Sequence, residues 1–175
     1  NILESKVKPK NLDTLTSRLE LDLNHEDYAL TTGFVAFEDL QKNKSDRYEF
    51  ALPYYVFSRD ILTENNLGSL NFTSSGDNIL KDTNNLRSRM INDFDFRSFN
   101  FINHKGIKNN FNIYIKNVIA SAKNDPKYNS KVENELMGIG ELQSSLPMIK
   151  TDDKFINYLD PKISFRFNPS NMMSY

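Results

Sequence analysis

Cysteine and tryptophan are missing from this sequence, and histidine occurs only twice, at His25 and His104. Without cysteine there is no thiol nucleophile, no CxxC zinc site and no disulfide framework within these residues. The two histidines sit beside turn residues and not in a ligand spacing such as HExxH, so both read as loop histidines. Long hydrophobic runs are lacking too. The longest, such as Val118–Ala120, are a few residues, against the roughly 20 that a membrane-spanning helix needs. If this chain crosses a membrane, it does so with strands.

An excess of charge of one sign is also absent. Net charge is −1 and the pI is about 6.2, without the basic footprint of a duplex-binding or polybasic membrane-surface domain, so no nucleic acid is expected as a partner. Hydrophobic residues make up 38% of the 175 residues, below the roughly 45–50% of an ordinary globular domain. That implies a thin core or an incomplete globular unit. The sequence opens on Asn1 and closes on NMMSY, and we read it as a piece of a longer protein.

What is present is Phe and Tyr, which favour strands, and abundant Asn, which is poor in helix interiors and common in turns. The stretch LRSRMINDFDFRSFNF, Leu86 to Phe101, decides between the two regular structures. At 100° per residue its charges at 87, 89, 93, 95 and 97 fall at about 0°, 200°, 240°, 80° and 280°, scattered round a helix axis; at 180° per residue they share one face. The spacing predicts a strand with Arg87, Arg89, Asp93, Asp95 and Arg97 on one side and Leu86, Met90, Phe94 and Phe96 on the other.

The same test applies elsewhere. TLTSRLELDLN places Leu15, Leu19, Leu21 and Leu23 opposite Thr16, Arg18, Glu20 and Asp22, and NHED then supplies turn chemistry, which predicts a hairpin. Its second arm carries Tyr28, Leu30, Phe34 and Ala36 in one register, followed by the polar loop QKNKSD. RYEFALPYYVFSR groups Tyr48, Phe50, Leu52, Tyr54 and Val56, though the opposite register also holds Ala51, Tyr55 and Phe57. GSLNFTSSG alternates, and DNILKDTNN reads as a polar connection. NNFNIYIKN sets Phe111, Ile113 and Ile115 opposite Asn112, Tyr114 and Lys116. AKNDPKYNSK reads as a loop by its Asn, Asp and Pro. VENELMGIGELQSSLP has helix-forming residues, but Gly138, Gly140 and its SSLP ending favour a strand. PKISFRFNP closes the series with Ile163, Phe165 and Phe167 opposite Lys162, Ser164 and Arg166. The expectation is an all-β fold, an antiparallel meander of about eight long strands, in one domain over 1–175 without an internal boundary.

Chemistry is sparse along this pattern. GIGE at Gly138 lacks the third glycine and the helix of a dinucleotide fingerprint. Asp152 and Asp153 form an acidic turn before Lys154. Asp93 and Asp95 resemble a paired-carboxylate site, but they alternate with arginines on one strand face and have partners without any catalytic role. No enzyme activity, cofactor site or metal site is expected.

The two-faced strands admit a soluble β-sandwich or jelly-roll module, in which the charged face is solvated and the Phe face packs on a core. Sixteen alternating residues exceed the usual strand length of about five or six. Outer-membrane barrel strands need about 9–11 residues to cross the bilayer and run on into hairpins, with apolar side chains toward lipid and polar ones toward a wet lumen. Length and thin apolar content favour the barrel, a porin or receptor included.

The order of motifs carries a resemblance. SDRYEFALPYYVFSRDI, GSLNFTSSG, DTNNLRSRMINDFDFRSF, GIKNNFNIYIKN, SSLPMIK and YLDPKISFRFNPSNM together resemble the barrel region of the LptD family, the lipopolysaccharide-assembly or organic-solvent-tolerance proteins of the Gram-negative outer membrane. The resemblance runs from about Asp46 to Met172 and lies in the sequence of motifs, none diagnostic alone. It implies an interior portion of a very large barrel, an open curved sheet when taken alone. It implies location in the cell outer membrane, lipopolysaccharide as cargo, membrane lipid around the wall, an LptE-like plug lipoprotein in the lumen and periplasmic Lpt bridge proteins upstream. Disulfides between the family's periplasmic jelly roll and its barrel lie outside this sequence or are absent. Family prolines weaken pairing near the lateral gate; Pro53, Pro147 and Pro161 are read here as local breaks, not gate residues. On this reading Arg87, Arg89, Asp93, Asp95 and Arg97 face the lumen and Leu86, Met90, Phe94 and Phe96 face lipid.

Overall fold

The computed structural model describes residues 13–42, 47–64, 67–82, 84–125 and 130–169. The alternating segments form strands: β1 (Thr14–Asn24), β2 (Tyr28–Asp39), β3 (Tyr48–Glu64), β4 (Gly68–Lys81), β5 (Asn85–Ser98), β6 (Phe101–Ile102), β7 (Lys108–Lys123), β8 (Glu133–Ser145), β9 (Met148–Thr151), β10 (Ile156–Leu159) and β11 (Lys162–Phe167). The main sheet runs β1-β2-β3-β4-β5-β7-β8-β11, with β6 paired to β7, while β9 and β10 form a separate two-stranded sheet. The protein is therefore an antiparallel β-meander, and among the described residues no pairing joins β1 to β11, so the sheet is not closed as a barrel. No helix among the described residues is long and apolar enough to cross a membrane.

Period-two alternation converts directly into faces where the register is fixed. β1 and β2 pair antiparallel with Leu19 opposite Phe34, Leu23 opposite Leu30, Glu20 opposite Gly33 and Arg18 opposite Val35. Directly opposed residues share a face, so the leucines of β1 lie with Leu30, Phe34 and Ala36, the register expected from sequence. β8 and β11 repeat this, with Leu142 opposite Phe165 and Glu141 opposite Arg166. The ambiguous segment around Gly138 and Gly140 is thus a strand.

Four features depart from the sequence reading or extend it. β4 continues through Asp77–Lys81, where the polar composition suggested a connection; the strand persists because Asp77 and Asn78 find partners on β5. β7 likewise runs on to Lys123, and part of the loop expected over 122–131 lies outside the described residues. The hairpin of β9 and β10, with Ile156 opposite Thr151 and Leu159 opposite Met148, carries too little alternation to be seen in sequence. Finally, Tyr54 leaves the register assigned to Tyr48, Phe50 and Leu52. Its hydroxyl donates to Glu20, on the face opposite the leucines of β1.

The turns use side chains that mimic backbone partners. In the β1–β2 turn the His25 ring Nδ1 accepts from the Asp27 backbone N–H (3.3 Å), the His25 backbone N–H donates to the Tyr28 carbonyl (2.8 Å), and the ring stacks on Tyr28 at 4.9 Å. Before β7, Asn103 Oδ1 accepts from the N–H groups of Lys105 and Ile107, each at 3.0 Å; His104 lies in that turn.

Contacts divide the chain into two units, one of residues 1–57, 74–91 and 118–134, the other of residues 58–73, 92–117 and 135–175. Neither has an ordinary core. Among the described residues the buried apolar side chains are Val35 and Ala122, and no large side chain is fully buried.

Candidate functional site

The chemistry of this protein lies in the contrast between the two faces of its strands. In the first unit, the polar register of β1 is tied together by short-range bonds. Arg18 Nη1 lies 3.5 Å from Glu20, Tyr54 donates its hydroxyl to Glu20, and Thr31 Oγ1 donates to Asp22 at 2.6 Å. Tyr54 reaches Glu20 because Gly33, opposite Glu20, has no side chain in the way. On the longer strands Arg89 pairs with Asp77 (2.8 Å), Lys81 with Glu49 (3.3 Å), and Ser88 donates to Asn78 (2.6 Å). In the turn before β3, the pKa of Arg47 is raised, first by the hydrogen bond it donates to the Tyr48 oxygen (2.6 Å), with desolvation opposing and the Glu38 charge (2.8 Å) adding to it.

The second unit carries the same kind of pairing. Asp93 accepts Lys116 at 3.3 Å, and Asp95 holds Arg97 through two bonds of 2.7 and 3.1 Å. Asn71 donates to Asp60 at 2.8 Å. Glu141, buried, accepts from Gln143 (3.0 Å) and Arg166 (3.4 Å). The resemblance of Asp93 and Asp95 to a carboxylate pair thus resolves into two carboxylates held by two different cations. A polar cavity of about 330 Å³ opens among Lys108, Asn110, Ser145, Asp160 and Lys162. No group of His, Asp or Glu side chains among the described residues could hold a metal ion.

Each residue singled out in the sequence has a place. Arg89, Asp93, Asp95 and Arg97 all lie in ion pairs on β5, and Arg87 is half-buried on the same strand. Leu86 and Phe94 are exposed in the alternate register, whereas Met90 and Phe96 are half-buried. Phe94 meets Phe72 of the neighbouring strand with ring centres 4.7 Å apart, an aromatic contact that fixes which side of β5 is apolar. Met90 lines a groove of about 300 Å³ with Tyr55, Gly76 and Ile119.

Large apolar side chains stand exposed on the end strands β1 and β11, both of whose faces are open. Leu19 is 69% exposed, Leu21 64%, Ile163 73% and Phe165 67%, while Val35, Asn112 and Glu141 fall below 9%. Val35 lies opposite Arg18, and Glu141 opposite Arg166, so these two covered positions lie in the polar register, whereas buried Ser74 shares the register of Phe72. A sheet that packs its apolar face in water covers its large apolar side chains.

Sequence reasoning placed Tyr54, Lys116 and Arg166 only in a strand register, without a partner, and did not name Asp77 or Glu141. Their signal was weak, because each acts through a partner on another strand and the pairing depends on register.

The chain matches no protein-family model, and no curated protein matches it. What the fold and the two faces define is an all-β protein, an antiparallel meander with one charged and one apolar side.

Proposed function

We propose that this chain is a wall segment of an outer-membrane β-barrel, with its apolar register toward lipid and its charged register toward a hydrated lumen, and that the barrel assembles lipopolysaccharide into the outer leaflet. The observation that carries the barrel reading is the exposure of large apolar side chains on whole strands, from Leu15 to Leu23 on β1 and from Ile163 to Phe167 on β11. Lipid is the solvent that makes such a face favourable, because each fully buried Leu, Ile or Phe side chain contributes about 1.5–3 kcal/mol on leaving water. Strands of 11 to 17 residues in β1–β5 meet the roughly 9–11 that a bilayer crossing requires. The lipopolysaccharide cargo, the LptE-like plug and the periplasmic bridge proteins rest on the order of motifs from SDRYEFALPYYVFSRDI to YLDPKISFRFNPSNM.

The mechanism is physical. Hydrogen-bonded strands satisfy every backbone group in the hydrocarbon region, and the charged register keeps a wet path along which polar sugar and phosphate groups avoid lipid.

Depletion of the intact protein tests both halves. The protein fractionates with the outer membrane, and its loss lowers lipopolysaccharide at the cell surface while cargo accumulates inside. A monodisperse folded domain obtained without detergent would overturn the barrel reading. Outer-membrane location with unchanged surface lipopolysaccharide would retain the barrel and remove the cargo, leaving a porin or receptor.

A further inference from the structure

We infer that Asp77, Asp93 and Glu141 are specificity-determining residues that act by cancellation: each neutralises a cation on a neighbouring strand, so that the charged face does not hold anionic groups passing along it. The inference rests on the reading of that face as a lumen wall and adds how the wall treats its cargo.

Three pairs carry it. Asp77 meets Arg89 at 2.8 Å between β4 and β5, Asp93 meets Lys116 at 3.3 Å between β5 and β7, and Glu141 meets Arg166 at 3.4 Å between β8 and β11. The three cations are 46%, 45% and 66% exposed. They are open to solvent and therefore to a phosphate or carboxylate, so pairing, not burial, takes them out of play. A paired cation presents a dipole whose field fades faster than that of a single charge, and one of its N–H donors is already directed at an acid.

Stability does not account for the open pairs. An ion pair as exposed as Asp93 with Lys116 contributes little to folding, and hydrogen bonds such as Asn71 to Asp60 or Ser88 to Asn78 join neighbouring strands without a cation; for the buried Glu141, Arg166 also offsets the cost of burying a charge. A face built to bind anions leaves its Arg and Lys groups without acids beside them. This one places an acid against each of the three, and Asp95 against Arg97 in addition. The chemistry fits a surface over which a polyanionic sugar slides.

The test uses the intact protein in detergent micelles, with inorganic pyrophosphate as probe and calorimetric titration near physiological salt. The triple variant Asp77→Asn, Asp93→Asn, Glu141→Gln exposes three cations and binds pyrophosphate at least about tenfold more tightly than wild type. Exchanging one pair, Asp93→Lys with Lys116→Asp, keeps the cancellation and leaves binding at the wild-type level. The inference is overturned if wild type already binds as tightly as the triple variant, or if a folded triple variant gains nothing. Should the triple variant not fold, Asp93→Asn alone, which frees only Lys116, decides by the same comparison. Because the readout needs neither transport nor lipopolysaccharide, a negative result leaves the transport reading standing, and failure of the transport reading leaves this result intact.

Discussion

The phenol ring of Tyr54 lies over Gly33: a β-carbon built on Gly33 would meet the Tyr54 oxygen at 2.9 Å and its Cζ at 3.0 Å, and would also run into the Leu19 carbonyl oxygen. The glycine is needed for space, and the space lets Tyr54 cross to Glu20 on β1. One residue further on, the Tyr55 ring covers Gly76 of β4. Two consecutive tyrosines thus each fill the gap of a glycine on a flanking strand.

Gly33→Ala forces both the Tyr54 ring and the β1 backbone to move, and overpacking of this kind typically costs about 1–3 kcal/mol. Denaturant unfolding in detergent measures it. Adding Tyr54→Ala removes the ring but not the Leu19 carbonyl, so the double variant recovers only part of the loss. Full recovery would mean that the backbone contact does not matter.

Tyr55→Phe keeps the ring over Gly76 and removes the bond between the Tyr55 hydroxyl and Ser74 Oγ (3.1 Å). Expected destabilisation is about 0.5–1.5 kcal/mol, whereas Gly76→Ala, whose β-carbon would come within 2.5 Å of Tyr55 Cε1, costs more. The same unfolding assay ranks the two, and a reversed order would sink the ring-over-glycine account.

Orientation is tested by adjacent residues of β5. On the barrel reading proposed above, Phe94→Arg places a charge in lipid and costs about 2–4 kcal/mol at mid-bilayer depth. Asp93→Asn loses one exposed ion pair with Lys116, about 0–1 kcal/mol. The folded, heat-modifiable fraction in outer membranes should collapse for the first and hold for the second; equal tolerance would refute the facing of β5.

Among the described residues the β9–β10 hairpin pairs only with itself, and its Ile149, Ile156 and Tyr158 are 68%, 75% and 63% exposed. Replacing residues 148–159 with an Asn-Gly turn leaves β8 and β11 in register, since an isolated two-stranded hairpin adds little stability of its own. The circular dichroism signal and unfolding midpoint should stay near wild type. A collapse of β8–β11 would show that the hairpin holds the last strand.

Much of the strand pattern was legible. The leucines of β1, the charges of β5 and the phenylalanines of β11 alternate over enough residues that only period two fits, and the faces follow. Less legible were places where alternation is weak or breaks. The polar run Asp77–Lys81 looked like a connection until its cross-strand partners were known, and the two arms around Asp152–Asp153 are too short to show a period. Around Pro53 the pattern offers two registers, Leu52 with Tyr54 or Ala51 with Tyr55, and local composition gives no means to choose.

The sequence by itself determined that this is a two-faced strand protein, because side-chain direction in a strand is set by the parity of position along the chain. Which acid meets which cation was decided only by the tertiary structure. Asp93 and Lys116, or Glu141 and Arg166, are brought together by strand register, which depends on turns and packing over distances that parity does not encode. The same holds for exposure: alternation separates apolar from charged residues, but only the assembled sheet decides which of them stand open, as Leu19 and Ile163 do, and which are covered, as Val35 and Glu141 are.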